Sequence, residues 1–312
     1  MIKINHAAHS SGACIPRRAK PRGAMTEGRP AAGREPELVP LPPAAALRSR
    51  WDAAYLRSAH PDTLVDVSVT RDDDGGYLRG TAETHETISM QFGLQFLEQL
   101  DDSGASWCRC PSKLRYHLAQ CPLHLLPALD TDAREVLGDA CHAACARLGR
   151  TTQALQTNLW FAIGATTSGL HYDAFDNLLV MLHGRKRLRL LPPSASGDLA
   201  PRPAHGASAN HSQLSAAALA SLAEPTVRRF ELGPGEALLI PEGWWHEVES
   251  PEEVTLGLNF WWDGPLAALL PTAPPALPPA LAPGGGGVAA YVLRRAFDAC
   301  VRQTGSHGLC PA

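Results

Sequence analysis

Apolar and polar positions alternate through much of the chain. Val65, Val67 and Val69 recur every second residue, a period that predicts a half-buried strand. Leu178 to Leu182 is an unbroken apolar run followed by Gly184, which reads as a buried strand and a turn. Lys186-Arg187-Leu188-Arg189-Leu190 alternates again. Lys186, Leu188 and Leu190 therefore share the buried face, and Arg187 and Arg189 the other. Pro234-Gly235 and Pro241-Glu242-Gly243 bracket a short apolar strand, Ala237 to Ile240. From Val254 to Trp262, Thr255, Gly257, Asn259 and Trp261 fall on one face and Val254, Leu256, Leu258 and Phe260 on the other. Helical spacing predicts helices over 44–58 (Leu47, Trp51 and Tyr55 on one face), at Phe92, Phe96 and Leu100, over 132–148, and over 288–303.

An inward lysine demands explanation, because lysine is rarely buried without an anionic partner. Two nearby segments supply a candidate reason. His171 and Asp173 stand two residues apart, so on a strand both point to one face. His246 lies far downstream, just past the Pro241-Glu242-Gly243 turn. Two neutral imidazoles and one carboxylate leave open positions on an octahedral metal, the ligand set of non-haem Fe(II) oxygenases. The tripeptide alone is weak evidence, since the chain has 13 histidines and a second His-x-Asp at His60-Pro61-Asp62. That copy carries turn residues and has no partner histidine in a comparable setting, so it reads as structural.

Beyond the single tripeptide, NLWFAIG (158–164), Ser168-x-x-His171-x-Asp173, Asn177, Gly184-x-Lys186, PPS (192–194), PGEALLIPEGWWHEVES (234–250) and LNFWW (258–262) form one combined pattern. It resembles the JmjC/cupin-8 family of Fe(II)- and 2-oxoglutarate-dependent oxygenases, and is most similar to the small hydroxylase branch that includes the asparaginyl hydroxylase inhibiting hypoxia-inducible factor. The resemblance implies a mainly β fold with flanking helices, a double-stranded β-helix or jelly-roll. It also implies that His171, Asp173 and His246 bind Fe(II). Lys186 and Ser168 would hold the distal carboxylate of the co-substrate 2-oxoglutarate, with Asn177 and Asn259 lining the cavity. Family members often carry a tyrosine in Tyr-Leu-Ala-Gln ahead of the barrel. Here the matching segment is His117-Leu118-Ala119-Gln120, with Tyr116 one residue earlier. Alternation turns Tyr116 away; His117 donates in its place, or a slip of register restores Tyr116.

Five segments are expected: 1–37 disordered or targeting, 38–154 helical and mixed, 155–262 the barrel, 263–287 a Pro/Gly-rich linker, and 288–312 a C-terminal helix suited to packing on the body or to a homodimer contact. The insert over 195–226 is rich in Ala, Ser and His; its His205 and His211 read as solvated, and the substrate is expected to enter past this insert and a Trp244-Trp245 rim. Residues 1–26 hold basic but no acidic residues, which suits either an organelle transit peptide or an extended start ahead of Met25. Eight unevenly spaced cysteines without an apolar leader suit free thiols in the cytoplasm or nucleus. Cys108, Cys110, Cys121 and His124 match no common zinc spacing. No apolar run reaches the roughly 18 residues of a membrane span.

The net charge of −3 gives no general affinity for polyanions. That favours a protein side chain as substrate over a tRNA base, and the length leaves no evident reader module of the kind histone lysine demethylases usually carry. A non-catalytic binding module and a cupin enzyme using another metal are the remaining readings.

Overall fold

A computed structural model describes residues 34–71, 86–100, 114–147, 149, 154, 156–202, 210–222, 227–251 and 254–264. The expected C-terminal helix, most of the linker, residues 1–33, Cys108, Cys110 and His205 lie outside the described residues.

The strands are β1 (Glu37–Pro40), β2 (Leu64–Arg71), β3 (Glu86–Gln91), β4 (Leu114–Pro122), β5 (Gln156–Ile163), β6 (Thr166–Tyr172), β7 (Phe175–His183), β8 (Lys186–Leu191), β9 (Arg228–Leu232), β10 (Glu236–Ile240), β11 (Trp245–Ser250) and β12 (Val254–Asp263). They form an eight-stranded sheet, β1-β10-β7-β12-β5-β4-β2-β3, and a four-stranded sheet, β6-β11-β8-β9, with antiparallel pairing. Leu179 and Met181 of β7 and Leu238 and Ile240 of β10 pack against Leu188 and Leu190 of β8 and Leu232 of β9. The two sheets thus face each other across an apolar interior, the jelly-roll arrangement expected from the sequence. The opposite face of the larger sheet (Leu178, Val180, Leu239, Leu256, Leu258) belongs to the main core, which the helices cover.

The helices are α1 (Pro43–Arg50), α2 (Ala53–Ala59), α3 (Pro127–Arg147) and a short α4 (Ala216–Ala220). Two of the helical expectations need correction. Residues 44–58 form two helices rather than one. The chain breaks at Trp51, and the extended Asp52 accepts a hydrogen bond from the Tyr55 N–H at 2.7 Å, capping α2. The break lets Trp51 and Tyr55 both donate to the buried Asp132 of α3, at 3.0 and 2.5 Å, beside Arg50 at 2.9 Å. At 92–100 the spacing is met by a π-turn and a 3₁₀ turn, not an α-helix, yet Phe92, Phe96 and Leu100 are all buried. Gly93 allows this tight turn: a Cβ there would lie 2.4 Å from the Arg57 carbonyl oxygen. The expected 132–148 helix begins earlier, at Pro127, a residue suited to a first turn.

Among the described residues no helix is long and apolar enough to cross a membrane. Cys121, Cys141 and Cys145 are buried, and burial pushes Cys121 and Cys141 up to about 12.

Candidate metal centre

His171 near the end of β6 and His246 near the start of β11 are directly opposed across the antiparallel pair. Their ring centroids lie 4.2 Å apart. Asp173 follows β6, where its backbone oxygen accepts from the Gly243 N–H at 3.0 Å. The turn at Pro241-Glu242-Gly243 therefore fixes the Asp173 backbone beside the strand carrying the third residue. One ligand atom from each of His171, Asp173 and His246 lies within 4.8 Å of the others. Asp173 Oδ2 is 3.6 Å from His246 Nε2.

The imidazoles are oriented for a shared cation. His171 Nδ1 sits 2.7 Å from the Gly169 carbonyl oxygen and His246 Nδ1 3.0 Å from that of Trp244. A carbonyl only accepts, so each Nδ1 carries the proton and each Nε2 keeps its lone pair for the centre. Burial, aided by neighbouring His171, lowers His246 to about 4 against the opposing pull of Asp173 and the Trp244 backbone. It is neutral at pH 7, the form that binds metal. Converging donors, preset tautomers and a neutral buried imidazole fit a divalent cation.

The same interior face continues along the smaller sheet. His246 pairs with Leu190 and Val248 with Leu188, so the next inward positions are Ser250 and Lys186. Lys186 is 5% exposed, donates to Ser250 Oγ at 2.9 Å, and is lowered by burial to about 8. Ser168 pairs with Val248 although counting from His171 would turn it outward. The register shifts between His246 and Val248, giving β6 an extra residue that returns Ser168 to the interior face.

The larger sheet supplies the facing wall. Asn259 pairs with Asn158 and Leu179, and its Oδ1 accepts from Asn158 Nδ2 at 3.0 Å. Asn177 lies opposite Trp261. Asn177 Oδ1, Trp261 Nε1 and Trp160 Nε1 are buried without a hydrogen-bond partner among the described residues, so this interior holds polar capacity for a bound molecule. His117 pairs with Ala162 on this face, its ring 5.9 Å from Trp160, while Tyr116 joins the main core on the other. β4 keeps its register with both β2 and β5 at these positions, so no slip brings Tyr116 inward.

Three placements depart from expectation. His211, which is not among the converging ligand atoms, is only partly exposed: it stacks on His171 with ring centroids 5.0 Å apart and planes 16° apart. Trp244 and Trp245 form no rim, being 4% and 0% exposed; Trp245 donates to Ser196 Oγ at 2.8 Å beneath the insert. Ser250, the last residue of the 234–250 motif, carries no expected role, yet it is the partner of Lys186, and stepping by two from His246 reaches it.

The sequence pattern of the cupin-like domain family matches residues 42–267. Curated relatives match shorter stretches. Lysine-specific demethylase JMJ31 of Arabidopsis thaliana is 38% identical over 121 residues, covering 36% of this chain and 22% of its own. Jumonji C domain-containing protein 5 of Drosophila melanogaster is 33% identical over 118 residues, 36% of this chain and 29% of its own. HSPB1-associated protein 1 of Homo sapiens is 33% identical over 127 residues, 36% and 24%. The matches span about a quarter of these relatives' lengths.

Proposed function

The chain belongs to the cupin-like domain family, and from that premise we propose that it is an Fe(II)- and 2-oxoglutarate-dependent oxygenase that hydroxylates a protein side chain. The observation carrying this reading is the convergence of His171, Asp173 and His246 on one point, with a buried lysine further along the same interior face. The triad would hold Fe(II). Lys186 and Ser168 would bind the distal carboxylate of 2-oxoglutarate, and Asn177, Asn259 and His117 would line the cavity. When bound, Fe(II) and 2-oxoglutarate activate O2 for oxidation of a C–H bond, releasing succinate and CO2.

The chain's own contribution is orientation. The carbonyls of Gly169 and Trp244 aim the two imidazoles, and the Gly243 N–H fixes the backbone of Asp173. Lys186 supplies a positive charge already stripped of water. Its attraction to a carboxylate is stronger in this interior than at the surface. The apolar wall of Leu179, Met181, Leu188 and Leu190 keeps bulk water from the cavity.

Relatives named as lysine-specific demethylases support a second reading, because removal of an N-methyl group begins with the same C–H hydroxylation. Succinate formation that needs both Fe(II) and 2-oxoglutarate is the test of the activity. Incubation with cell extract under 18O2, followed by mass spectrometry, tests the substrate. Label in peptide side chains supports the proposal. Loss of methyl groups from lysines moves the chain to the demethylases, and label confined to tRNA nucleosides overturns the protein substrate.

A further inference from the structure

The smaller sheet has β6 as an outer strand, with β11 on only one side. An outer strand presents unpaired N–H and C=O groups. The insert between β8 and β9 covers part of this edge. The Ser212 N–H donates to the Leu170 oxygen at 2.8 Å and the Tyr172 N–H to the Asn210 oxygen at 3.1 Å, while Asn210 Nδ2 donates to the Tyr172 oxygen at 2.8 Å. Between these bonds His171 and His211 form an antiparallel bridge. The hydrogen bonds flank the pair and do not join it. That is the antiparallel pairing in which side chains approach most closely.

His171 therefore lies between two rings. His246 sits on one side at 4.2 Å and 55°, and His211 on the other at 5.0 Å and 16°. The His211 ring is itself held. Its Nδ1 lies 3.0 Å from Asn210 Oδ1, its backbone oxygen accepts from the Arg202 N–H at 2.9 Å, and the adjacent Ser212 hydroxyl donates to the Leu199 oxygen at 2.6 Å. Leu199 is fully buried with Leu170, Tyr172, Leu191 and Trp245, which anchors the insert to the sheet.

We propose that His211 is a positioning residue for the metal centre, its ring setting the plane of His171 and hence the direction of the His171 Nε2 lone pair. The inference rests on the triad binding a metal. The hydrogen bond from His171 Nδ1 to Gly169 fixes one point of the ring but leaves a pivot about that bond. A parallel plate at stacking distance blocks the pivot. His211 is not among the converging ligand atoms, so its effect runs through His171.

Titration of the full chain with Mn(II) alone, followed by calorimetry, separates this role from turnover. His211→Ala weakens Mn(II) binding by about tenfold, the scale of losing an outer-sphere partner of a metal-bound histidine. His211→Leu, which fills the space without a flat ring, weakens it alike and serves should the alanine variant melt early. His211→Phe restores affinity close to that of wild type, and restores the visible spectrum of the Co(II)-substituted protein that the other two variants alter. Wild-type affinity in His211→Leu would show that bulk suffices and overturn the inference. Loss in His211→Phe equal to that in His211→Leu, at unchanged melting temperature, would overturn it in favour of the imidazole nitrogens. A wild type that binds no Mn(II) removes the metal-centre reading and this inference with it; binding in wild type that all three variants match removes the inference alone.

Discussion

The chain contains His-x-Asp twice, and the two copies have different fates. At His171–Asp173 the segment runs out of a strand beside a second histidine strand, and three ligand atoms converge within 4.8 Å. At His60–Asp62 the segment ends α2, with His60 at φ −143° and ψ 63°. His60 Nε2 there accepts the Ala128 N–H at 3.1 Å, satisfying a donor at the start of α3, and Asp62 Oδ1 accepts from Gln91 Nε2 at 3.4 Å. Both regions hold a histidine whose pKa burial lowers, His60 and His246. A depressed histidine therefore marks burial, and only the convergence of further donors marks a metal site.

The sharpest way to break this comparison is to remove ligands at each copy. Asp173→Ala or His246→Ala is expected to weaken Mn(II) binding by more than the roughly 10- to 100-fold that losing an outer partner costs. His60→Ala should leave it unchanged. Calorimetric titration of the three variants decides the matter, and equal affinity throughout would erase the distinction.

Next in size is Lys186→Met. A charge-assisted bond worth roughly 1.5–3 kcal/mol implies about a ten- to hundredfold rise in the 2-oxoglutarate KM, with Mn(II) binding intact. The same substitution has an opposite effect on the ligand-free protein. Lys186 titrates near 8 when folded against an ordinary 10.5, so the folded state bears a buried charge below pH 8. Between pH 8 and 10.5 the unfolded chain binds a proton that the folded chain lacks, and wild-type stability rises with pH. Lys186→Met should stabilise the ligand-free protein at pH 7 by up to roughly 3 kcal/mol, less the lost Ser250 hydrogen bond. This advantage should fade from pH 8 towards 10.5, as denaturant titrations across that range will show.

The smallest effect is thermodynamic and belongs to the structural copy. His60→Ala removes one neutral hydrogen bond at the start of α3 and should cost about 1 kcal/mol, read as a lower melting temperature. His60 is held below its ordinary 6.5, so its contribution is present above that pH and is lost as pH falls. The difference between wild type and variant should shrink on acidification, and a difference that grows would show that His60 is not a neutral acceptor.

Much of the site was legible because strand periodicity is local. Parity alone placed Lys186 inward, Asn259 with Trp261 on one face, and Tyr116 away from His117, and the strand pairings agree at each position. The combined motif around them, rather than the His-x-Asp spacing that the chain repeats at His60–Asp62, singled out His171, Asp173 and His246. Local pattern failed wherever direction depends on a partner. Ser168 faces inward only because β6 carries an extra residue against β11, which no count along the strand from His171 reveals. Trp51 breaks a helix whose apolar spacing looked continuous, because Trp51 and Tyr55 both reach Asp132 on α3. His211 comes from an insert without periodicity, and only its bridge to the outer strand brings its ring onto His171. The sequence by itself thus determined which residues a strand turns inward where its pairing is regular, since pleating follows from neighbouring dihedrals. The tertiary structure decided bulges, helix breaks and cross-chain stacking, since these are set by residues far along the chain that meet only when it folds.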